Sequence, residues 1–145
     1  MSRDPDLYGD AARVERLLRD TEVWAVVGLS GDPARAAYGV SRVLQSKGKR
    51  IVPVHPRAAA VHGEQGYATL ADATFSVGPI DVVDLFVNAR RVGDFVDQAI
   101  EIGARAVWMQ VGVIDEQAAA RARAAGLDVV MDACPKLEWV RRGEL

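Results

Sequence analysis

The loop at residues 28–35 holds the residue types best suited to bind an anion. It follows an apolar run at 23–27 and leads into a helical stretch at 34–47. A strand that ends in small residues and turns into a helix leaves backbone N–H groups unpaired, and the helix dipole favours negative charge there. Ser30 adds a hydroxyl donor, and Arg35 adds a permanent positive charge for a phosphate. The segment therefore predicts a site for a phosphorylated ligand.

Four other side chains could do chemistry, and each also has a structural interpretation. His55 and Gln110 each end an apolar strand, where a ligand contact and a structural hydrogen bond are both compatible with the pattern. Asp84 lies inside a strongly apolar strand, so we expect a hydrogen bond to a neighbouring loop to stabilise it. Cys134 could exchange with a ligand thiol, although packing beside Pro135 is the simpler interpretation. The spacing shows no paired carboxylates, no metal-ligand cluster and no nucleophile beside a base, which favours a non-catalytic role.

Helix and strand patterns alternate along the chain. Strands are expected at 22–27, 50–54, 81–87, 106–111 and 127–131. Continuous apolar strands are typical of a parallel sheet covered by helices. We therefore predict an α/β fold: one doubly wound, Rossmann-like parallel sheet of about five strands in the order 3-2-1-4-5, with helices on both faces. The chain length predicts a single domain over residues 1–145.

Capping residues mark where the helices begin. Asp32 is predicted to cap the helix after the first strand, with Pro33 in its first turn and Gly48 beyond its end. Residues 69–72 have the spacing of a capping box, and Asp115 is placed to cap a later helix. In a doubly wound sheet the ligand lies over the carboxyl ends of the strands, at a switch point predicted between strands 1 and 4. The candidate segments are 28–35, 54–57, 87–91, 110–115 and 131–136.

Composition argues against other classes of protein. Eighteen basic and 20 acidic residues give a net charge of -2 without a basic cluster, which disfavours nucleic-acid binding. No apolar run approaches the roughly 20 residues of a membrane helix. The polar start at 1–6 predicts no signal peptide, and one cysteine excludes an internal disulfide, so we expect a cytoplasmic protein. A homodimer or a protein partner stays open, with the apolar residues around Tyr8 and Trp139 as a candidate interface.

The first loop departs from the fingerprint for NAD. That fingerprint is G-x-G-x-x-G, followed about 20 residues later by an acidic residue that holds the ribose. Residues 28–33 read GLSGDP, so the second glycine comes one place late and the third is absent. The second strand ends at His55 and Pro56 without a carboxylate. An NAD(P)-binding oxidoreductase subunit is therefore an alternative rather than the leading interpretation.

An ordered set of segments resembles the small stand-alone CoA-binding proteins. That family is similar to the CoA-binding domain of the succinyl-CoA synthetase α subunit. The matching segments are VVGLS at 26–30 with Pro33 and Arg35, YGV at 38–40, IVPVHP at 51–56, YATL at 67–70, IDVVDLFV at 80–87, ARAVWMQVG at 104–112 and AGLDVVMDAC at 125–134. The resemblance extends over nearly the whole chain, from about residue 15 to 142.

The resemblance implies that the ligand is coenzyme A or an acyl-CoA, with its ADP part over the strand ends. The ligand-binding residues that it implies are Gly28, Leu29, Ser30, Pro33 and Arg35 in the first loop, Val54, His55 and Pro56 after the second strand, and Val87 and Asn88 after the third. Arg35 and Arg57 are candidates for the 3′-phosphate that distinguishes CoA from ADP. The chain departs from the family pattern at His55, where Asn is commoner, and at Asn88, where a basic residue is commoner.

The leading hypothesis is a non-catalytic protein that binds CoA or an acyl-CoA as a carrier, buffer or sensor. Two alternatives stay open. One is the NAD(P)-binding oxidoreductase subunit, and the other is an interaction module whose nucleotide cleft is vestigial.

Overall fold

Helices and strands alternate through residues 3–145, the part of the chain that the computed structural model describes. The helices are α1 (Pro5–Tyr8), α2 (Ala11–Asp20), α3 (Ala36–Ser46), α4 (Leu70–Val77), α5 (Val92–Glu101), α6 (Glu116–Ala124) and α7 (Pro135–Arg141). The strands are β1 (Val23–Val27), β2 (Arg50–Val54), β3 (Val82–Leu85), β4 (Ala106–Met109) and β5 (Asp128–Val130).

The strands form one parallel sheet in the order β2-β1-β3-β4-β5. The predicted α/β class, with a doubly wound parallel sheet, is confirmed. The predicted order 3-2-1-4-5 is wrong, because β3 lies between β1 and β4 rather than outside β2. Val26 of β1 is in register with Pro53 of β2 on one side and with Asp84 of β3 on the other. The switch point therefore lies between β1 and β3.

Pro53 explains why β2 is an edge strand. A proline cannot donate to a strand ladder, so within sheets it is confined to edges and bulges. On the outer side of β2, the carbonyl of Pro53 accepts the N–H of Tyr67 at 2.9 Å, and the N–H of His55 donates to the Tyr67 carbonyl at 3.0 Å. The segment before α4 thus covers the edge that β3 would need in the predicted order. The chain instead crosses back over β1.

The helices cover both faces of the sheet. Helices α4, α5 and α6 pack on one apolar cluster, and α2, α3 and α7 pack on the other. Trp24 and Trp108 meet in the second cluster with their ring centroids 5.6 Å apart. Trp139 is buried in the same cluster, while its neighbours Leu137 and Val140 are exposed, and Tyr8 donates its hydroxyl hydrogen to Glu116 at 2.8 Å. No helix in residues 3–145 combines the length and the apolar character that crossing a membrane requires.

Helix α3 begins later than predicted, at Ala36. Asp32 does not cap it, because its carboxylate accepts the N–H of Ala34 at 2.9 Å and its carbonyl accepts the N–H of Arg35 at 3.1 Å. These bonds close a turn before the helix. Within residues 3–145, the N–H groups of Ala36 and Ala37 are left without a hydrogen-bond partner.

Two predicted caps are confirmed. The Thr69 hydroxyl accepts the N–H of Asp72 at 3.0 Å at the start of α4, and the Asp115 carboxylate accepts the N–H of Ala118 at 3.0 Å at the start of α6. Both helices pack on the same face of the sheet, and these caps fix where α4 and α6 begin.

Candidate functional site

A cleft of about 1320 Å³ lies over the carboxyl ends of the five strands. Every strand contributes lining residues from the segment that follows it. Those that carry the argument are Gly28, Ser30, Asp32 and Arg35 after β1, His55 and Arg57 after β2, Val87, Asn88 and Arg91 after β3, Gln110, Val111 and Val113 after β4, and Cys134 and Leu137 after β5. The carboxyl ends of a doubly wound sheet are where such proteins bind ligands.

Eight of the ten site residues expected from the sequence line this cleft: Gly28, Ser30, Arg35, Val54, His55, Pro56, Val87 and Asn88. Leu29 and Pro33 do not. The side chain of Leu29 is fully buried in the second apolar cluster, because it follows β1 directly and points into the core. Pro33 is exposed in the turn that precedes α3.

Gly28 lies in the cleft where the carboxyl ends of β1, β2 and β3 meet. Its N–H donates to the carbonyl of Val54 at 2.8 Å, while the N–H of Phe86 donates to the carbonyl of Val27 at 3.0 Å. The φ angle of Gly28 is +93°, and a Cβ at this position would lie 2.3 Å from the Phe86 carbonyl oxygen. Only glycine fits here, since any side chain would collide with the backbone of the next strand.

The loops after β2 and β3 use their polar side chains to shape turns. The Nδ1 atom of His55 accepts the N–H of Arg57 at 3.2 Å. The Oδ1 atom of Asn88 accepts the N–H of Arg90 at 2.8 Å, and its carbonyl accepts the N–H of Arg91 at 2.9 Å. Arg91 lines the cleft as a result, and its guanidinium lies 5.7 Å from the centroid of the Phe95 ring.

The cleft carries more positive than negative charge. Arg35, Arg57 and Arg91 line it, and Asp32 is the carboxylate among its lining residues. Arg35 approaches Asp32 at 3.9 Å, and both side chains are more than half exposed, so this ion pair is weak. Within residues 3–145, Arg57 and Arg91 have no acidic partner. These cations are therefore free for an anionic ligand although the whole chain carries a net charge of -2.

The floor of the cleft near β4 contains a buried polar pair. Asp84 is fully buried, and its Oδ1 atom accepts a hydrogen bond from the side-chain amide of Gln110. Its Oδ2 atom has no partner within residues 3–145. Burial raises the pKa of Asp84 to about 8, so the carboxyl is largely protonated at neutral pH. The predicted structural hydrogen bond exists, and its donor is the residue that follows β4.

Cys134 reaches the cleft through the loop after β5. The indole Nε1 of Trp108 donates to the carbonyl of Ala133 at 3.0 Å, and the N–H of Ala133 donates to the carbonyl of Met109 at 3.3 Å. These bonds hold the loop against β4. Burial raises the pKa of the Cys134 thiol, so the protonated form predominates at neutral pH.

The described residues contain no group of three or more His, Cys, Asp and Glu side chains that could hold a metal.

Sequence reasoning missed some of the lining residues. Arg91 was detectable, because it lies within the predicted strand-end segment 87–91. Phe95, Gln98 and Leu137 lie on helices, and their spacing in the sequence does not tell which helix turn faces the cleft. The position of each depends on how its helix packs on the sheet.

A positively charged cleft at the switch point of a doubly wound sheet is typical of α/β proteins that bind phosphorylated ligands. Residues 22–140 match the family model described as "CoA binding domain". The chain belongs to this family of CoA-binding domains, as the resemblance in its sequence predicted.

The chain is similar to proteins of the same size. It is 31% identical to the uncharacterized protein YneT of Bacillus subtilis over 126 residues, which are 87% of this chain and 91% of YneT. A solved structure of a hypothetical protein from Pyrococcus horikoshii OT3 is 34% identical, with a TM-score of 0.84, over 97% of this chain and 96% of that one. The same fold also occurs as one part of a longer protein. A dinucleotide-forming acetyl-coenzyme A synthetase of Ca. Korarchaeum cryptofilum is 23% identical, with a TM-score of 0.68, over 82% of this chain and 28% of that one.

Proposed function

We propose that this protein binds coenzyme A or an acyl-CoA in the cleft over the carboxyl ends of its sheet. The observation that carries the proposal is the convergence of Arg35, Arg57 and Arg91 on one cleft of a CoA-binding domain. CoA carries a pyrophosphate and a 3′-phosphate, so it is a polyanion that needs several cations. Membership of the family supports a CoA-type ligand, and the free arginines support the cleft as its site.

The pyrophosphate is proposed to lie between the β1 loop and the start of α3. The N–H groups of Ala36 and Ala37 are unpaired within residues 3–145, and α3 is eleven residues long, so its dipole favours an anion there. Ser30 and Arg35 line the same part of the cleft. Arg57, beyond β2 at the edge of the sheet, is the candidate for the 3′-phosphate.

The role proposed is non-catalytic, as a carrier, buffer or sensor of CoA. Three observations support it. The Cys134 thiol is protonated at neutral pH because burial raises its pKa. The Nδ1 atom of His55 and the Oδ1 atom of Asn88 both accept backbone N–H groups, so the turns occupy them. These contacts support a structural role for His55 and Asn88 in their turns rather than a role in acid–base chemistry.

Calorimetric titration with CoA, dephospho-CoA and NAD tests the proposal. We expect CoA to bind most tightly, because dephospho-CoA lacks the 3′-phosphate and NAD lacks both that phosphate and the thiol-bearing arm. Tighter binding of NAD would overturn the proposal in favour of an oxidoreductase subunit. No binding of any of the three would favour the interaction module.

Two neighbouring arginines provide a matched pair of variants. Arg91→Gln should weaken CoA binding about tenfold, near the lower end for a lost hydrogen bond to a charged group. Arg90→Gln should change the dissociation constant less than twofold, since Arg90 is exposed and does not line the cleft. Equal effects of the two substitutions would remove Arg91 from the site, since they change the net charge by the same amount.

A further inference from the structure

The two halves of the cleft differ in chemistry. The arginines follow β2, β1 and β3, on one side of the sheet, whereas Val111, Val113 and Leu137 follow β4 and β5 on the other. Adjacent strands lie about 4.8 Å apart, so the centre of the cationic half and β4 are separated by roughly 10 Å. A ligand that spans the cleft therefore has its phosphates at one end and a mainly apolar part at the other.

Gln110 is a nearly buried amide in this mainly apolar half. Gln110 is only 6% exposed, and it lines the cleft. The side-chain nitrogen donates to Asp84, and the Oε1 atom receives no hydrogen bond from residues 3–145. A nearly buried acceptor beside a cleft is stabilised when a ligand supplies a donor, because leaving it unpaired carries a desolvation penalty.

Asp84 fixes which end of the Gln110 amide faces the cleft. The Oδ1 atom of Asp84 accepts from the amide nitrogen, so the amide oxygen is left for the cleft. Because the amide nitrogen donates to Oδ1, the proton of the neutral carboxyl belongs on Oδ2, and Oδ1 faces Gln110 as an acceptor. Asp84 is in register with Val26 and Trp108 on a fully buried part of the sheet, so its carboxyl has no freedom to move away.

We infer that Gln110 recognises an amide N–H in the uncharged arm of the ligand, and that Asp84 is the residue that positions Gln110 for this contact. The inference rests on the proposed function and extends it from the phosphates to the rest of the ligand. The arm that links the pyrophosphate of CoA to its thiol contains two secondary amides separated by methylene groups. Such an arm matches a single acceptor set among apolar side chains at the surface of the cleft. A purely hydrocarbon arm would leave that acceptor unpaired.

The test compares CoA with 3′-phospho-ADP, which keeps all the phosphates and lacks the arm. Gln110→Met removes the acceptor at similar volume. We expect it to weaken CoA binding about tenfold and to change 3′-phospho-ADP binding less than twofold. Gln117→Met is the control, since Gln117 is exposed on α6 and does not line the cleft, and it should change neither affinity.

Two variants of Asp84 test the positioning role. Asp84→Asn keeps an oxygen that can accept from Gln110, so the preference for CoA over 3′-phospho-ADP should stay within twofold of the original. Asp84→Val removes the acceptor and lets the Gln110 amide turn. It should reduce the preference for CoA about threefold or more, with 3′-phospho-ADP affinity unchanged. Thermal unfolding of each variant establishes that the compared proteins are folded.

The outcomes separate this inference from the proposed function. Loss of the CoA preference in Gln110→Met, with 3′-phospho-ADP still bound, supports the inference. Unchanged binding of both ligands, or equal losses for both, overturns it while the phosphate site stands. If the unaltered protein binds neither ligand, the proposed function fails and the inference fails with it.

Discussion

Asp84 is the residue whose chemistry departs furthest from its ordinary behaviour. A carboxyl on a strand with no exposed surface loses the hydration that stabilises its charge. One hydrogen bond from Gln110 offsets only part of that loss, and burial raises the pKa to about 8. The protein therefore folds around a carboxyl that is neutral at physiological pH.

The raised pKa makes stability depend on pH. Unfolding exposes Asp84, whose pKa returns to its ordinary value of 3.8. The stabilisation from the protonated carboxyl is fully present below pH 4 and is lost as the pH rises toward 8. Asp84→Asn cannot ionise, so at pH 7 it should raise the free energy of unfolding by about 2–4 kcal/mol, a gain that disappears near pH 4. Urea unfolding at the two pH values measures the difference. If the two proteins differed in free energy of unfolding by the same amount at pH 4 and at pH 7, the carboxyl of Asp84 would not be neutral in the folded protein.

The connection from β1 to α3 is the element on which the cleft depends. The first residue of the connection, Gly28, donates a hydrogen bond to the end of β2 and lies against the backbone at the end of β3. The turn that follows Gly28 leads into the start of α3. The packing here is decided by main-chain atoms, which cannot move aside as a side chain can. Position 28 therefore tolerates few substitutions.

Two glycines in this connection and its helix should respond in opposite ways. Gly28→Ala adds a Cβ 2.3 Å from the Phe86 carbonyl oxygen at a positive φ, and should lower the free energy of unfolding by about 2–4 kcal/mol. Gly39→Ala meets nothing within 4 Å on the exposed side of α3, and should raise it by about 0.5–1 kcal/mol, because alanine favours a helix. Urea unfolding of both variants measures these shifts. Equal stability of Gly28→Ala and the original protein would show that the strand ends separate without cost.

At the scale of the whole molecule, a mildly acidic chain concentrates free cations at one end of its sheet. Binding there links ligand concentration to folding, because the unfolded chain has no cleft. CoA at 100 times its dissociation constant should raise the free energy of unfolding by about 2.7 kcal/mol, and the melting temperature by roughly 5–12 °C.

Calorimetric melting with CoA and with NAD at equal concentrations checks this prediction. The shift from CoA should shrink in high salt, since the cations are exposed and salt screens them. An equal rise in melting temperature with NAD at low salt would contradict a cleft that is specific for the phosphates of CoA.

Local sequence patterns were sufficient to predict the strands, their alternation with helices and the residue types at the strand ends. Apolar strands buried on both faces require a covered parallel sheet, and the strand-end segments then have to meet at one edge. That is why eight of the ten expected site residues line one cleft. The residues that carry the family resemblance lie mainly in the strands and in the loops that follow them, so the CoA-binding family was also predictable.

Tertiary structure alone decided the order of the strands and the polar floor of the cleft. The outer edge of β2 is closed by the pairing of Pro53 with Tyr67, 14 residues along the chain, and local periodicity carries no information on such a contact. Pro53 was the one signal of an edge strand that the sequence offered. The contact between Asp84 and Gln110 likewise exists only because β3 and β4 are neighbours in the sheet. Local patterns specify which side chains lie at the strand ends, and the packing of the strands specifies which of them meet.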